Sequence, residues 1–309
     1  MMYFVRIFLV VLIFIALYEF LELLYRNTQS FKNSQGGCQF FKKVPYDLDM
    51  VNIGSGPGRY GISYEYYDSH GFNFATAPQS YKTGFSLLKR FKNHIKKDAV
   101  VIIIVMSPLS FGRNNDHDRP GYMDKFYGIL PKEDIDNYSL FRFWVTKHPL
   151  ACLFFKKIKR LIFQEQKDIG KQDDTVPSVV NVWKSEFNLT DLYNSAQAIK
   201  HKEAFIEKTQ ILNDCIDFCE EMAWHPILVI PPIPSETREF ISYDFVKVFV
   251  YDNIKPVLSK HKGLKVLNYY DDARFDNVCF MNDIFMNDFG REKFSKILFT
   301  DIRKEEGIV

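Results

Sequence analysis

The segment Ala99–Met106, AVVIIIVM, narrows the fold of this chain more than any other. A continuous apolar run rich in Val and Ile has no face for water. As a strand it must be covered on both sides, as in a parallel sheet flanked by helices. Four shorter runs share this character: Met50–Ile53, Phe72–Ala75, Ile227–Ile230 and Leu264–Leu267. Turn-forming residues follow them. Gly54, Ser55, Gly56, Pro57 and Gly58 come after the first and Pro78 after the second. Ser107 and Pro108 follow Ala99–Met106, and Pro231 and Pro232 follow the fourth strand. The fifth leads to Asn268 and the acidic pair Asp271 and Asp272. Helical patterns lie between, over Tyr81–Lys96, about Ala198–Met222 and about Asp244–Ser259. Strands alternating with helices predict a doubly wound α/β fold with a mainly parallel, five-stranded sheet. Ligands of such sheets bind at the C-terminal ends of the strands.

Composition agrees with a packed domain. Of 309 residues, 47% are hydrophobic and 25% charged, which disfavours global disorder. The net charge of +2 argues against a nucleic-acid binder. The 30 Phe and 17 Tyr suit a core, a membrane-proximal surface or a sugar groove alike. Five scattered cysteines do not make a disulfide framework. Cys215 and Cys219 share one face of a helix. With no further ligands beside them in sequence they read as core, so no metal and no cofactor is expected.

Ile7–Tyr18, IFLVVLIFIALY, is unbroken and apolar, and Phe20, Leu21, Leu23, Leu24 and Tyr25 extend it around Glu19 and Glu22. About 20 mainly apolar residues cross a bilayer core, so this segment spans if both glutamates lie near an interface. The following YEFLELLYR has no small-residue cleavage site, which favours an uncleaved anchor over residues 1–26. Arg6 before and Arg26 after leave the orientation unmarked by charge. Residues 27–46, polar and punctuated by Gly36 and Gly37, read as a stalk, and 47–309 as the α/β domain. Residues 112–196 break its rhythm and read as an insertion over the sheet edge or the site. Within them Leu150–Phe163 is basic and amphipathic. It suits either a membrane surface or packing on its own domain. Asn137 and Asn188 sit in glycosylation sequons.

Val51–Gly58 is a strand running into a glycine-rich turn that carries Ser55. Glycines on both sides let the backbone turn tightly and leave amide N–H groups to face an oxyanion. The order of elements resembles the SGNH/GDSL hydrolase superfamily, with its flavodoxin-like sheet. The likeness is to membrane-anchored members associated with exopolysaccharide and cell-wall acylation. It covers roughly residues 47–111 and 200–300. It implies that Ser55, in Asn52-Ile53-Gly54-Ser55, is the nucleophile, with Gly54 and Gly56 beside it. It also implies an oxyanion asparagine, for which Asn73 in Gly71-Phe72-Asn73 offers itself one strand earlier than the family places it. Ser107 and Ser110 are alternatives at the third strand end.

The family's Asp-x-x-His precedes the closing helix, often with a pattern like Leu-Asn-x-x-Gly. Aligned on Asn287 and Gly290, the histidine position holds Phe285 and the aspartate position Asn282, with Asp283 out of step. Phenylalanine cannot accept a proton, so the general base is missing. Of the seven histidines, His70, His225 and His261 precede strands and belong at the far end of the sheet. His94 and His201 fall in helices, and His148 in the insertion. His117, flanked by Asp116 and Asp118, is the alternative base, though a solvated loop histidine fits the same residues. The expectation is a membrane-anchored, extracytoplasmic relative acting on a cell-surface polysaccharide. It would be a degenerate binder or scaffold for a membrane acyltransferase, or else an active serine esterase or O-acyltransferase. The partners implied are the membrane and a polysaccharide or acyl donor. A third class, phosphate or nucleotide binding in Gly54–Gly58, lacks the lysine and spacing of a P-loop.

Overall fold

The computed structural model describes residues 2–35, 37–68, 70–105, 108–112, 123–151, 153–154, 178, 180–181 and 196–305. Two compact units divide the chain. One comprises residues 1–39 and 117–170, the other residues 40–116 and 171–309.

The larger unit is built on a five-stranded, all-parallel sheet: β1 Leu48–Ile53, β2 Gly71–Asn73, β3 Ile95–Ile104, β4 His225–Ile230 and β5 Lys265–Asn268. The strand order is β2-β1-β3-β4-β5. Each expected apolar run became a strand, displaced by a few residues at most at its ends except in β3. That strand starts at Ile95, earlier than Ala99, because Ile95 pairs with Leu48 and an exposed, irregular stretch Lys96-Lys97-Asp98 joins it to the apolar core. The helix expected over Tyr81–Lys96 therefore ends at Phe91, with a 3₁₀ turn at Lys92–His94.

Alternation along the strands sends side chains to two buried faces. On one, Met50, Val100, Ile102, Ile104, Ile227 and Val229 pack with Phe294, Leu298, Phe299 and Ile302 of the closing helix, Asp288–Glu305. On the other, helix Tyr81–Phe91 touches β1, and the long helix Ala196–Glu221 touches β4. Gly84 brings the first of these against the Ile53 side chain. Leu212, Cys215, Ile216 and Cys219 are buried on the long helix, so the cysteine pair is core. Burying apolar area on both faces is the main driving force for such a layered unit. The third expected helix forms as Tyr243–Val246, a π-helical turn Lys247–Tyr251 and Asp252–Lys260.

The segment expected as a stalk is not a free linker. Gln29–Ser34 and Cys38–Lys43 are helical, and Phe41 and Val44 are buried. Phe41 sets its ring against Phe72, Phe74 and Phe91. Its aromatic residues outweigh its polar composition.

In the smaller unit the N-terminal helix runs over Met2–Asn27. Its stretch Tyr3–Asn27 is long and apolar enough to cross a membrane. At 1.5 Å per residue it is about 37 Å long. Residues 117–170, expected within an insertion of the α/β domain, group instead with this helix.

Candidate functional site

In the order β2-β1-β3-β4-β5 the chain leaves β1 toward β2 on one side and leaves β3 toward β4 on the other. The crevice of the fold therefore opens at the C-terminal ends of β1 and β3. Ser55 stands there. Gly54 at the end of β1 has φ of +144°, a conformation that side-chain-bearing residues rarely adopt. A Cβ on it would come 2.7 Å from Ile104 Cβ. The turn leads into the short helix Gly56–Gly61, with Ser55 extended at its N-cap position.

The loop after β2 closes over this turn. Gln79, buried, accepts from Gly54 N–H at 2.6 Å through Oε1 and donates through Nε2 to Phe74 O at 2.8 Å. Its own N–H donates to Ser55 Oγ at 3.3 Å. Sequence reasoning passed over Gln79, because a lone Gln after a proline carries no chemical signature. Among the described residues no histidine or carboxylate hydrogen-bonds Ser55 Oγ. The Gly54 N–H is taken, so it is not offered to an anion or an oxyanion.

Asn73 lies on β2 and pairs in register with Asn52 of β1. Its carboxamide is fully committed. Nδ2 donates to Gly58 O at 3.1 Å and Ile62 O at 2.9 Å, while Oδ1 accepts from Asn52 Nδ2 and Ala75 N, both at 2.9 Å. Expected at an oxyanion, it instead ties the helix after Ser55 to the edge of the sheet. Ser110 lies in the helical turn Pro108–Phe111 after β3 and faces the Tyr81 hydroxyl. Burial pushes that hydroxyl far above its ordinary pKa of 10, with Ser110 opposing the shift. Ser107 and His117 lie outside the described residues.

The segment before the closing helix reaches the same turn. Phe280 and Met286 bridge antiparallel, and Met281 N–H donates to Phe285 O at 2.8 Å. Asn282 Oδ1 caps the loop by accepting from the N–H groups of Ile284 at 3.1 Å and Phe285 at 2.8 Å. This loop lays the Phe285 ring on Gly56. A Cβ added there would sit 2.3 Å from Phe285 Cε1. The other side of the ring environment is Tyr60, at 4.9 Å between centroids. Asp283 points elsewhere: its Oδ2 accepts from Ser178 Oγ at 2.8 Å, and its carbonyl from Thr237 Oγ1 at 2.7 Å. Asn287 and Gly290 are structural. Asn287 Nδ2 donates to Val278 O at 2.7 Å, its Oδ1 accepts from Gly290 N–H at 2.9 Å, and a Cβ on Gly290 would strike Cys279 O.

His70, His94, His225 and His261 lie at the opposite, N-terminal end of the strands. His94 precedes β3 and stacks on Tyr46 at 4.0 Å. His225 opens β4, and His70 immediately precedes β2. His201 is buried against Phe205 and Phe249. His261 precedes β5 and is held by Glu220 and Asn213, each at 3.2 Å. With Asp217 and Glu220 it forms a group whose potential ligand atoms lie within 4.8 Å of one another. Asp217 there is also paired with Lys260 at 2.5 Å. Near the β3 end, Lys208 of the long helix is buried and donates to Gly112 O. Burial lowers its pKa to about 8, with Glu207 acting in the opposite direction.

The fold and site thus define an α/β protein with a parallel five-stranded sheet and a serine turn at its crevice. No protein-family model and no curated protein matches the chain.

Proposed function

We propose that this chain is a membrane-anchored, non-catalytic relative of the SGNH hydrolases. It would work as a binding or scaffolding component in the modification, assembly or export of a cell-surface polysaccharide. One observation carries the non-catalytic reading. Phe285, standing where the resemblance puts the general base, covers Gly56 beside Ser55 with a ring that cannot take a proton. Asn282, at the aspartate position, spends its side-chain oxygen on its own loop. Ser55 Oγ meets only a backbone N–H from Gln79 among the described residues, a donor that cannot take the serine proton. The polysaccharide context rests on the resemblance, and the anchor on the length and apolarity of Tyr3–Asn27.

The test is covalent labelling. A serine hydrolase lacking a triad member keeps only about a thousand- to ten-thousand-fold acceleration over water. Fluorophosphonate should therefore label Ser55 slowly, and turnover of generic acyl esters should stay near background. Rapid labelling lost in Ser55→Ala would overturn the reading and restore an active esterase or O-acyltransferase. The double change Phe285→His, Asn282→Asp should raise the labelling rate if the loop keeps its geometry.

A further inference from the structure

The last turns of the N-terminal helix are gripped by a segment of their own unit. Glu22 is only 3% exposed. Its Oε1 accepts from Arg26 Nε at 2.8 Å, and its Oε2 from Leu150 N–H at 3.0 Å and the Tyr18 hydroxyl at 3.4 Å. Arg26 donates to Lys147 O, and Tyr18 meets His148 Nδ1 at 3.4 Å. Residues 147–150 are thus pinned at the level where the apolar run Ile7–Tyr18 gives way to Glu19 and Glu22. If the helix spans a bilayer, that level is the boundary between acyl chains and headgroups.

The helix Leu140–Lys147 leads directly into this clasp. Ser139 caps it by accepting from Arg142 N–H. One side faces the protein, where Phe143 meets Tyr127 and Arg142 pairs with Asp124 at 3.3 Å. The other side is largely exposed among the described residues: Leu140 is 76% exposed, Phe141 72% and Trp144, whose ring meets His148 at 4.8 Å, 48%. Phe154, just beyond the clasp, is 62% exposed. Lys147 is exposed at the helix end, and Lys156, Lys157, Lys159 and Arg160 follow in sequence.

We propose that the helix Leu140–Lys147, together with Phe154, is a second membrane contact. It would lie in the headgroup–acyl boundary of the leaflet from which the anchor emerges, on anionic lipid. The inference rests on the membrane-spanning reading of the N-terminal helix. Three observations favour lipid as the occupant. The segment that follows the exposed apolar stripe, residues 147–150, is hydrogen-bonded to the anchor at interfacial depth, so the stripe adjoins an apolar surface that itself needs lipid. Trp144 is of the residue type enriched at that depth. Lys147, exposed at the helix end, complements anionic headgroups. Attachment at two points would hold this unit at a set angle to the membrane instead of letting it pivot on one helix.

Trp144 supplies the probe. Trp183→Phe with Trp224→Phe leaves it as the sole tryptophan of the full chain. The chain is placed at one copy per nanodisc of phosphatidylcholine and phosphatidylglycerol, with acyl chains plain or brominated near the headgroup. Single occupancy removes a second copy as the cover. Trp144 emission should fall in brominated discs relative to plain ones, as for an aromatic residue at the headgroup–acyl boundary. It should fall less when phosphatidylglycerol is omitted. Trp224 is buried, so its replacement could disturb folding. A second arm therefore leaves Trp183 and Trp224 in place and compares the unaltered chain with Trp144→Phe, where the bromine-dependent loss should disappear. Equal Trp144 emission in both disc types, with the chain still co-eluting with the discs, overturns the second contact and leaves the anchor standing. Bromine quenching that persists undiminished in Trp144→Phe overturns it as well. A chain that does not enter discs overturns the anchor and this inference together.

Discussion

At the scale of single residues, the turn around Ser55 depends on close packing rather than on chemistry. Gly56→Ala drives a Cβ into the Phe285 ring, a contact relieved only if the ring or its loop moves. Overpacking of this kind costs about 1–3 kcal/mol. Phe285→Leu should recover part of that loss in a double-mutant cycle read by urea unfolding, and strict additivity would show that the ring does not lie where described. Gln79→Ala strips partners from the buried Gly54 N–H and Phe74 O. An unsatisfied buried group costs about 1–3 kcal/mol, so this variant should unfold at clearly lower denaturant. Lys208 gives a pH signature. Burial lowers its pKa from the ordinary 10.5 to about 8, so folding disfavours the charged form. Below pH 8 both states are protonated and the penalty is fully present. Between about 8 and 10.5 the unfolded state holds the extra proton, so stability should rise with pH across that window. Lys208→Met should flatten this rise. A wild-type curve that falls from pH 8 to 9.5 would show that another group dominates.

At the scale of elements, Asn73 is the link between β2, β1 and the helix after Ser55. Asn73→Leu leaves Asn52 Nδ2, Ala75 N–H and two carbonyls to find other partners. With several groups affected, a loss of at least about 2 kcal/mol is expected, and fluorophosphonate reactivity should not reveal a separate catalytic role. The strand runs were readable because burial on both faces leaves nothing but apolar residues in them. The start of β3 was not, because Ile95 pairs there by itself and the exposed, irregular Lys96–Asp98 that follow carry no apolar pattern. The commitment of Asn73 was equally unreadable. An Asn beside a glycine turn looks the same whether its carboxamide faces a ligand or two backbone carbonyls.

At the scale of the whole molecule, the chain divides between a parallel-sheet unit and a unit that contains the N-terminal helix. Deleting residues 1–27 removes Glu22 from Leu150 N–H, Arg26 from Lys147 O and Tyr18 from His148. Amide hydrogen exchange should then quicken through the described stretch 123–151, while β1, β3 and β4 keep their protection. Unchanged exchange in 123–151 would mean that this stretch stands without the anchor. A topology reporter fused after Val309 should read an extracytoplasmic location; a cytoplasmic signal would remove the polysaccharide context of the proposed function.

What the sequence by itself determined is the sheet: five apolar runs, their order with the helices between them, the serine turn at a strand end, and one N-terminal helix apolar enough for a bilayer. These follow from burial and periodicity, which are local properties of the chain. What only the tertiary structure decided is who meets whom. The Phe285 ring on Gly56, the Gln79 clasp on Gly54, the loop capped by Asn282 and the grouping of 117–170 with the N-terminal helix join residues distant in sequence. Each such contact depends on the three-dimensional course of the chain, and hydrogen bonding or close packing of that kind leaves no period in the sequence to read.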